Sequence, residues 1–283
     1  MNELPFSIQE KIDRYEPVTT EGITTYPIRV RELRQFAFCR PVLDFIHQSL
    51  PVALLNVPLL DAFYKLDLQE IKQTGKPTGL LSGSILLLLL ALRLGDGMEP
   101  EERMKLARIV PDRKNPERLA ELVFLPEDGS EPVIVAPRQF APLRKIIAAQ
   151  NGAEIVSETA NPEIIAAERL MAQNHAADLD PKLCDKIIFA AQGSGVSEED
   201  VWDWPILKME RHAAVYKRTL DYSALLTAES TGMVEFKNGN PVPSPFFAKK
   251  QNGLASMQSL GAVGNGRAQN AAAEAAKQQN KEE

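Results

Sequence analysis

The chain has 283 residues, of which 44% are hydrophobic and 25% are charged, and its net charge at pH 7 is −6. The length suits one large domain or two ordinary ones, and the apolar share is sufficient for a sizeable core. An acidic excess of 38 Asp and Glu over 32 Lys and Arg, with no basic stripe, argues against a nucleic-acid partner.

The expected location follows from the cysteines and from one leucine-rich run. Cys39 and Cys184 each lie in an apolar, helix-like stretch, which predicts two buried, reduced thiols. The first residues lack an apolar core, so no signal peptide is expected. Residues 80–94 include Ser82 and Arg93 and are fewer than the ~20 apolar residues of a membrane span. The sequence therefore predicts a cytoplasmic protein with no membrane segment and with a buried central helix at 80–94.

The first half of the chain predicts short elements. Residues 1–20 are polar and predict a poorly fixed lead-in, whereas residues 23–30 alternate β-branched and aromatic side chains and predict a strand. Residues 119–126 and 131–137 flank a four-residue polar loop and predict a hairpin. Together with 23–30 they form the predicted antiparallel β element. Helices are predicted over residues 32–39, 42–50, 58–72, 80–94, 100–110 and 139–150.

The second half predicts helices followed by a tail. After a linker at 153–160, helices are expected over 161–177, from 181 to a glycine stop at 193–195, and from 205 to about 222. Residues 197–200 have capping-box spacing with Asp in place of Glu. One apolar seam runs along the last helix at alternating spacings of four and three: Trp202, Ile206, Met209, Ala213, Tyr216 and Leu220.

The predicted fold class is α+β, mainly α, with a small antiparallel β element near the N-terminal half. Three regions are expected: an α+β region at 1–152, a helical region with an extended proline-rich segment at 153–247, and a tail at 248–283. The tail is rich in Ala, Gln, Asn and Gly and is predicted to be disordered.

No residue pattern predicts catalysis, a cofactor or a metal. None of His47, His175 and His212 lies three or four residues from another, and none has a cysteine or a paired acid at metal-ligand spacing. The acidic group at 198–203 lies at a helix N-terminus, where carboxylates complement the helix dipole. The glycines between 261 and 266 have no flanking strand and core-facing helix, so they do not indicate a nucleotide loop. We therefore expect a protein that is not an enzyme.

The candidate protein-binding residues are aromatic. Trp202 and Trp204 are the only tryptophans, and tryptophan is enriched at binding hot spots, although a seam of this kind also packs within its own chain. Phe246 and Phe247 end the proline-rich segment 229–247, which either clasps its own domain or docks on a partner. The sequence leaves both alternatives open.

Three stretches resemble the tail assembly chaperones of long-tailed phages and prophages of Gram-positive bacteria. GITTYPIRVRELRQFAF at 22–38 is similar to their opening strand and helix, and PRQFAPLRKIIAAQNG at 137–152 to the helix that follows their hairpin. VWDWPILKMERHAAVYKR and GMVEFKNGNPVPSPFF, between 201 and 247, are similar to their C-terminal signature. The Ala- and Gln-rich tail departs from the family pattern.

The resemblance implies a non-virion protein of the bacterial host cytoplasm. Such a chaperone binds the tape measure protein, keeps its apolar helices soluble until tail tube protein polymerises around them, and needs no cofactor. It could also form a homo-oligomer. The alternatives are a structural virion component, such as a tail completion or baseplate protein, and an enzyme of unrecognised type.

Overall fold

A computed structural model describes residues 4–153, 155, 182–233 and 235. The helices are α1 (Phe6–Asp13), α2 (Leu33–Phe38), α3 (Arg40–Leu43), α4 (Leu59–Thr74), α5 (Leu80–Ala91), α6 (Pro100–Arg103), α7 (Phe140–Gln150), α8 (Leu183–Ser194), α9 (Glu198–Trp202) and α10 (Ile206–Ser230). The strands are β1 (Val18–Thr20), β2 (Ile23–Thr25), β3 (Ala107–Pro111), β4 (Leu119–Phe124) and β5 (Val133–Val135). The predicted fold class, mainly α with small antiparallel β elements in the N-terminal half, is confirmed.

Helix α5 is the centre of the main core. Every residue of α5 except Leu80 and Ser82 is buried, as expected for a helix that is apolar on all sides. A Cβ at Gly83 would lie 2.8 Å from Cγ2 of Val42, so a glycine is needed where α5 passes α3. Helices α4 and α7 pack on the same core, where the ring of Phe63 lies edge-on to those of Phe45 and Phe140.

The predicted hairpin is confirmed as β4 and β5, which pair antiparallel with Leu122 opposite Val135. The sequence prediction of a helix through residue 110 is wrong beyond the 3-10 turn Met104–Leu106. Residues Ala107–Pro111 form β3 and pair with β4, with a bulge at Val110 and Pro111. A helix opened by Pro100 cannot extend through this segment because β-branched residues favour a strand and Pro111 cannot continue a helix.

The prediction of a loose lead-in over residues 1–20 is also wrong. Helix α1 and strand β1 bury Ile12 and Val18 against Ile146 of α7. Strand β2 pairs with β1 and not with the hairpin, through a two-residue turn in which Glu21 and Gly22 have φ of 54° and 77°. Two positive φ values fit the twist of a tight hairpin, but Glu-Gly lacks the Asn-Gly or Asp-Gly pattern that marks such turns in sequence.

The helix predicted over 42–50 ends at Leu43 of α3, and two 3-10 turns follow before α4, His47–Ser49 and Val52–Leu54. Pro51 lacks the N–H that helix propagation requires, and the residue before a proline is kept from helical backbone angles. Cys39 is buried as predicted, whereas Cys184 is exposed, so the prediction of two buried thiols is wrong for Cys184.

Helices α8, α9 and α10 form a second, smaller core with Val30, which contains Ile187, Val201, Met209 and Ala213. The predicted glycine stop is confirmed, since Gly195 ends α8 with φ 71°. The predicted capping box is confirmed as well, with Ser197 and Asp200 exchanging hydrogen bonds at the start of α9. The seam on α10 is buried at Ile206, Met209 and Ala213 only.

The chain divides into two compact units, residues 1–216 and 217–283. In the second unit the described residues are 217–233 and 235, which continue α10 to Ser230. The region boundaries predicted at residues 152 and 247 remain predictions. The predicted helix at 161–177 and the predicted disordered tail at 248–283 lie outside the described residues. Within the part that is described, no helix is both long and apolar enough to cross a membrane.

Candidate protein-binding surface

The two tryptophans lie at the junction of α9 and α10, and the main chain there is fixed by residues from the start of the chain. The Val30 N–H donates to the Trp204 carbonyl at 2.8 Å, and the Ile206 N–H donates to the Ile28 carbonyl at 2.9 Å. Arg29 and Pro205 lie between these bonds in an antiparallel bridge. The surface around both tryptophans is therefore held by long-range backbone pairing.

Trp204 packs mainly against its own chain. Its ring adjoins the second core, and the Nζ atom of Lys208 lies 3.8 Å from the ring centroid, within the range of a cation–π contact. One turn further along α10, the His212 ring meets Trp204 edge-on at a centroid distance of 5.0 Å. Of the two alternatives that the sequence left open for the tryptophans, Trp204 therefore follows packing within its own chain.

Trp202 is different, because its side chain is 42% exposed at the end of α9. An exposed indole presents a large apolar area together with one N–H donor, and it loses little conformational entropy when covered. Trp202 is therefore the predicted site residue that the structure leaves available to a partner. Phe246 and Phe247, the other two candidates, lie outside the described residues.

The histidines and acidic residues have structural contacts. His47 Nε2 lies 2.9 Å from the Leu55 carbonyl oxygen. Burial lowers the pKa of His212, and the positive charge of Lys208 lowers it further. Asp203 forms an ion pair with Arg31, which adds to the contacts between the start of the chain and the α9–α10 junction. His175 lies outside the described residues, among which no group of three or more His, Cys, Asp and Glu could hold a metal ion.

Sequence reasoning missed an exposed aromatic residue in the first half of the chain. Phe36 and Phe38 are both apolar, and residues two apart on a helix face nearly opposite sides. In the structure Phe36 is buried and Phe38 is 66% exposed. The spacing could have indicated that one of the two faces solvent, but not which one.

Fold and surface together define a mainly helical α+β protein with exposed aromatic side chains at Trp202 and Phe38. The chain matches no protein-family model, no curated protein and no solved structure.

Proposed function

We propose that this protein works by binding other proteins, as a tail assembly chaperone that holds the tape measure protein in the cytoplasm of a phage-infected or prophage-carrying bacterium. The observation that carries a binding function is the exposed Trp202 indole on a rigidly held junction. The choice of tape measure protein as client rests on the three stretches between residues 22 and 247 that resemble phage tail chaperones.

The physical task of such a chaperone is to cover apolar side chains. A long amphipathic helix with no partner aggregates through its exposed apolar stripe. An aromatic anchor on a preorganised surface binds such a stripe at low entropic cost. Tail tube protein would then displace the chaperone as it polymerises around the client. No bond is made or broken in this scheme, so the proposed protein is not an enzyme.

Co-expression with the downstream tape measure protein tests the proposal. The client should change from insoluble to soluble when wild-type protein is present. Trp202→Ala should fold normally and lose client binding by about 2 kcal/mol or more, the size of a hot-spot truncation. Trp204→Ala should instead lower thermal stability, because its ring packs on Lys208, His212 and the second core. Phe6→Ala, at another exposed aromatic position, is the matched control.

The result that contradicts the proposal is an insoluble client beside well-folded wild-type protein. A structural virion component would then replace it as the working hypothesis. Mass spectrometry of purified particles separates the two, because a chaperone is absent from the particle and a tail completion or baseplate protein is retained.

A further inference from the structure

A groove of about 600 Å³, whose lining includes neither tryptophan, lies between α2, α5 and the start of α6. Its apolar part is formed by the exposed Phe38 ring, the buried Leu86 side chain and Pro100. Three carboxylates complete its lining: Glu99, Glu101 and Glu102. All three glutamates are exposed, and none of them forms an ion pair with another described residue. The groove thus combines an apolar floor with a negative rim.

The position of this rim is fixed by a buried arginine. Arg103 is fully buried, and its Nη2 atom donates to Glu32 Oε1 and to the Gly95 carbonyl, each at 2.6 Å. Its Nη1 atom donates to Gln35 Oε1 at 3.0 Å, and Gln35 Nε2 donates to the Met98 carbonyl at 2.8 Å. A buried ion pair with all these hydrogen bonds is costly to disrupt. The glutamate-bearing segment is therefore held in a set position relative to α2.

Phe38 contributes little to the core from its place on α2. Its ring is 66% exposed, so most of its apolar area faces solvent in the groove. Covering that area would be favourable because it removes apolar surface from water. An exposed aromatic ring above a buried leucine is the kind of feature that receives an apolar side chain from a partner.

We propose that this groove binds a short segment of another protein in which a large apolar side chain is flanked by lysine or arginine. The apolar side chain would contact Phe38 and Leu86, and the basic side chains would pair with Glu99, Glu101 and Glu102. The charged residues that line the groove are all glutamates, so the lining favours a cationic segment over acidic peptides, nucleic-acid phosphates and anionic lipid surfaces. This surface is additional to the one around Trp202, and the inference does not depend on which client that surface binds.

Fluorescence polarisation with two labelled peptides tests the inference. Both peptides carry the same helical stripe of Leu and Phe; the polar positions are Lys in one and Glu in the other. The full-length protein should bind the Lys peptide more tightly than the Glu peptide, whose apolar stripe has only the Trp202 surface to bind, and the affinity for the Lys peptide should fall as salt is added. Phe38→Ala should weaken binding about tenfold or more, whereas Phe6→Ala should leave it unchanged.

A charge reversal provides an independent test with its own control. Glu101→Lys should weaken binding of the Lys peptide by about tenfold, since it places a cation on the rim. Glu131→Lys makes the same change in net charge at an exposed position outside the groove and should have little effect. All four substituted residues are exposed, so circular dichroism and thermal melts should match wild type. Equal binding of both peptides, no binding of either, or equal effects of Glu101→Lys and Glu131→Lys would each overturn the inference.

Discussion

Helices α5 and α10 are stabilised in opposite ways. In the 12 residues of α5 nearly every side chain is buried, and the helix needs a glycine at 83 to fit beside Val42. In the 25 residues of α10 only Ile206, Met209 and Ala213 are buried. Tertiary burial on all sides fixes α5, whereas most side chains of α10 are exposed or only partly buried. The comparison indicates that substitutions inside α5 cost much more stability than substitutions at exposed positions of α10.

The largest effect is expected in thiol reactivity, between Cys39 in the main core around α5 and Cys184 on α8, which packs with α10 in the second core. Burial raises the pKa of Cys39 to about 12, so near pH 8 only about one Cys39 in ten thousand is a thiolate. Cys184 is exposed at the start of α8. A maleimide should therefore label one thiol per native chain rapidly and both thiols after denaturation, as measured by intact mass. Cys184→Ser should abolish the rapid phase, and rapid double labelling of the native protein would show that the main core opens easily.

Truncating a leucine to alanine should reduce the free energy of unfolding much more in α5 than in α10. Leu88 is fully buried on α5, so Leu88→Ala should lower the free energy of unfolding by about 2–5 kcal/mol. Leu220 ends the predicted seam on α10 but is exposed, and Leu220→Ala should change it by no more than about 0.5 kcal/mol. Urea denaturation of both variants measures the difference. A large loss for Leu220→Ala would mean that the seam is buried further along α10 than the structure shows.

The smallest effect concerns pH and His212. Its pKa is lowered by burial and by Lys208, so the folded state favours neutral imidazole. Neutral His212 contributes fully to stability at pH values above its pKa in the unfolded state. This contribution is lost as the pH falls from the unfolded-state pKa to the lower folded-state pKa. A ¹H–¹⁵N titration should place the His212 pKa below that of an unfolded histidine. His212→Gln should remove a small part of the destabilisation on acidification; a raised pKa would contradict the packing around Trp204.

Much of this fold follows from local signals in the sequence. The apolar composition of 80–94 predicts burial of α5, and the polar loop between β4 and β5 predicts their pairing. The Asn-Gly pair predicts the end of α7, where Asn151 also accepts the Ile28 N–H at 2.9 Å. Each of these signals lies within a few residues of the structure that it specifies.

What could not be predicted depends on partners distant in the chain. The residues of β3 disfavour a helix, but its pairing with β4, like the contact of α1 with Ile146, is made with other segments of the chain and is not evident from local sequence. The sequence identified both tryptophans of the candidate site but could not show which one is exposed. In the structure Lys208 and His212 cover Trp204, while Trp202 remains exposed. Phe38 was missed because helical spacing alone cannot show which of two phenylalanines faces the core.

The pairing of residues 28–30 with 204–206 also has a consequence for biosynthesis. At a synthesis rate of about 5–20 residues per second, Val30 leaves the ribosome on the order of ten seconds before Trp204 does. During that interval the Val30 N–H has no Trp204 carbonyl to bind, and the Val30 side chain has no second core to enter. Closing a loop of this length also adds an entropic barrier. The second core must therefore form late during synthesis, after α10 has begun to emerge.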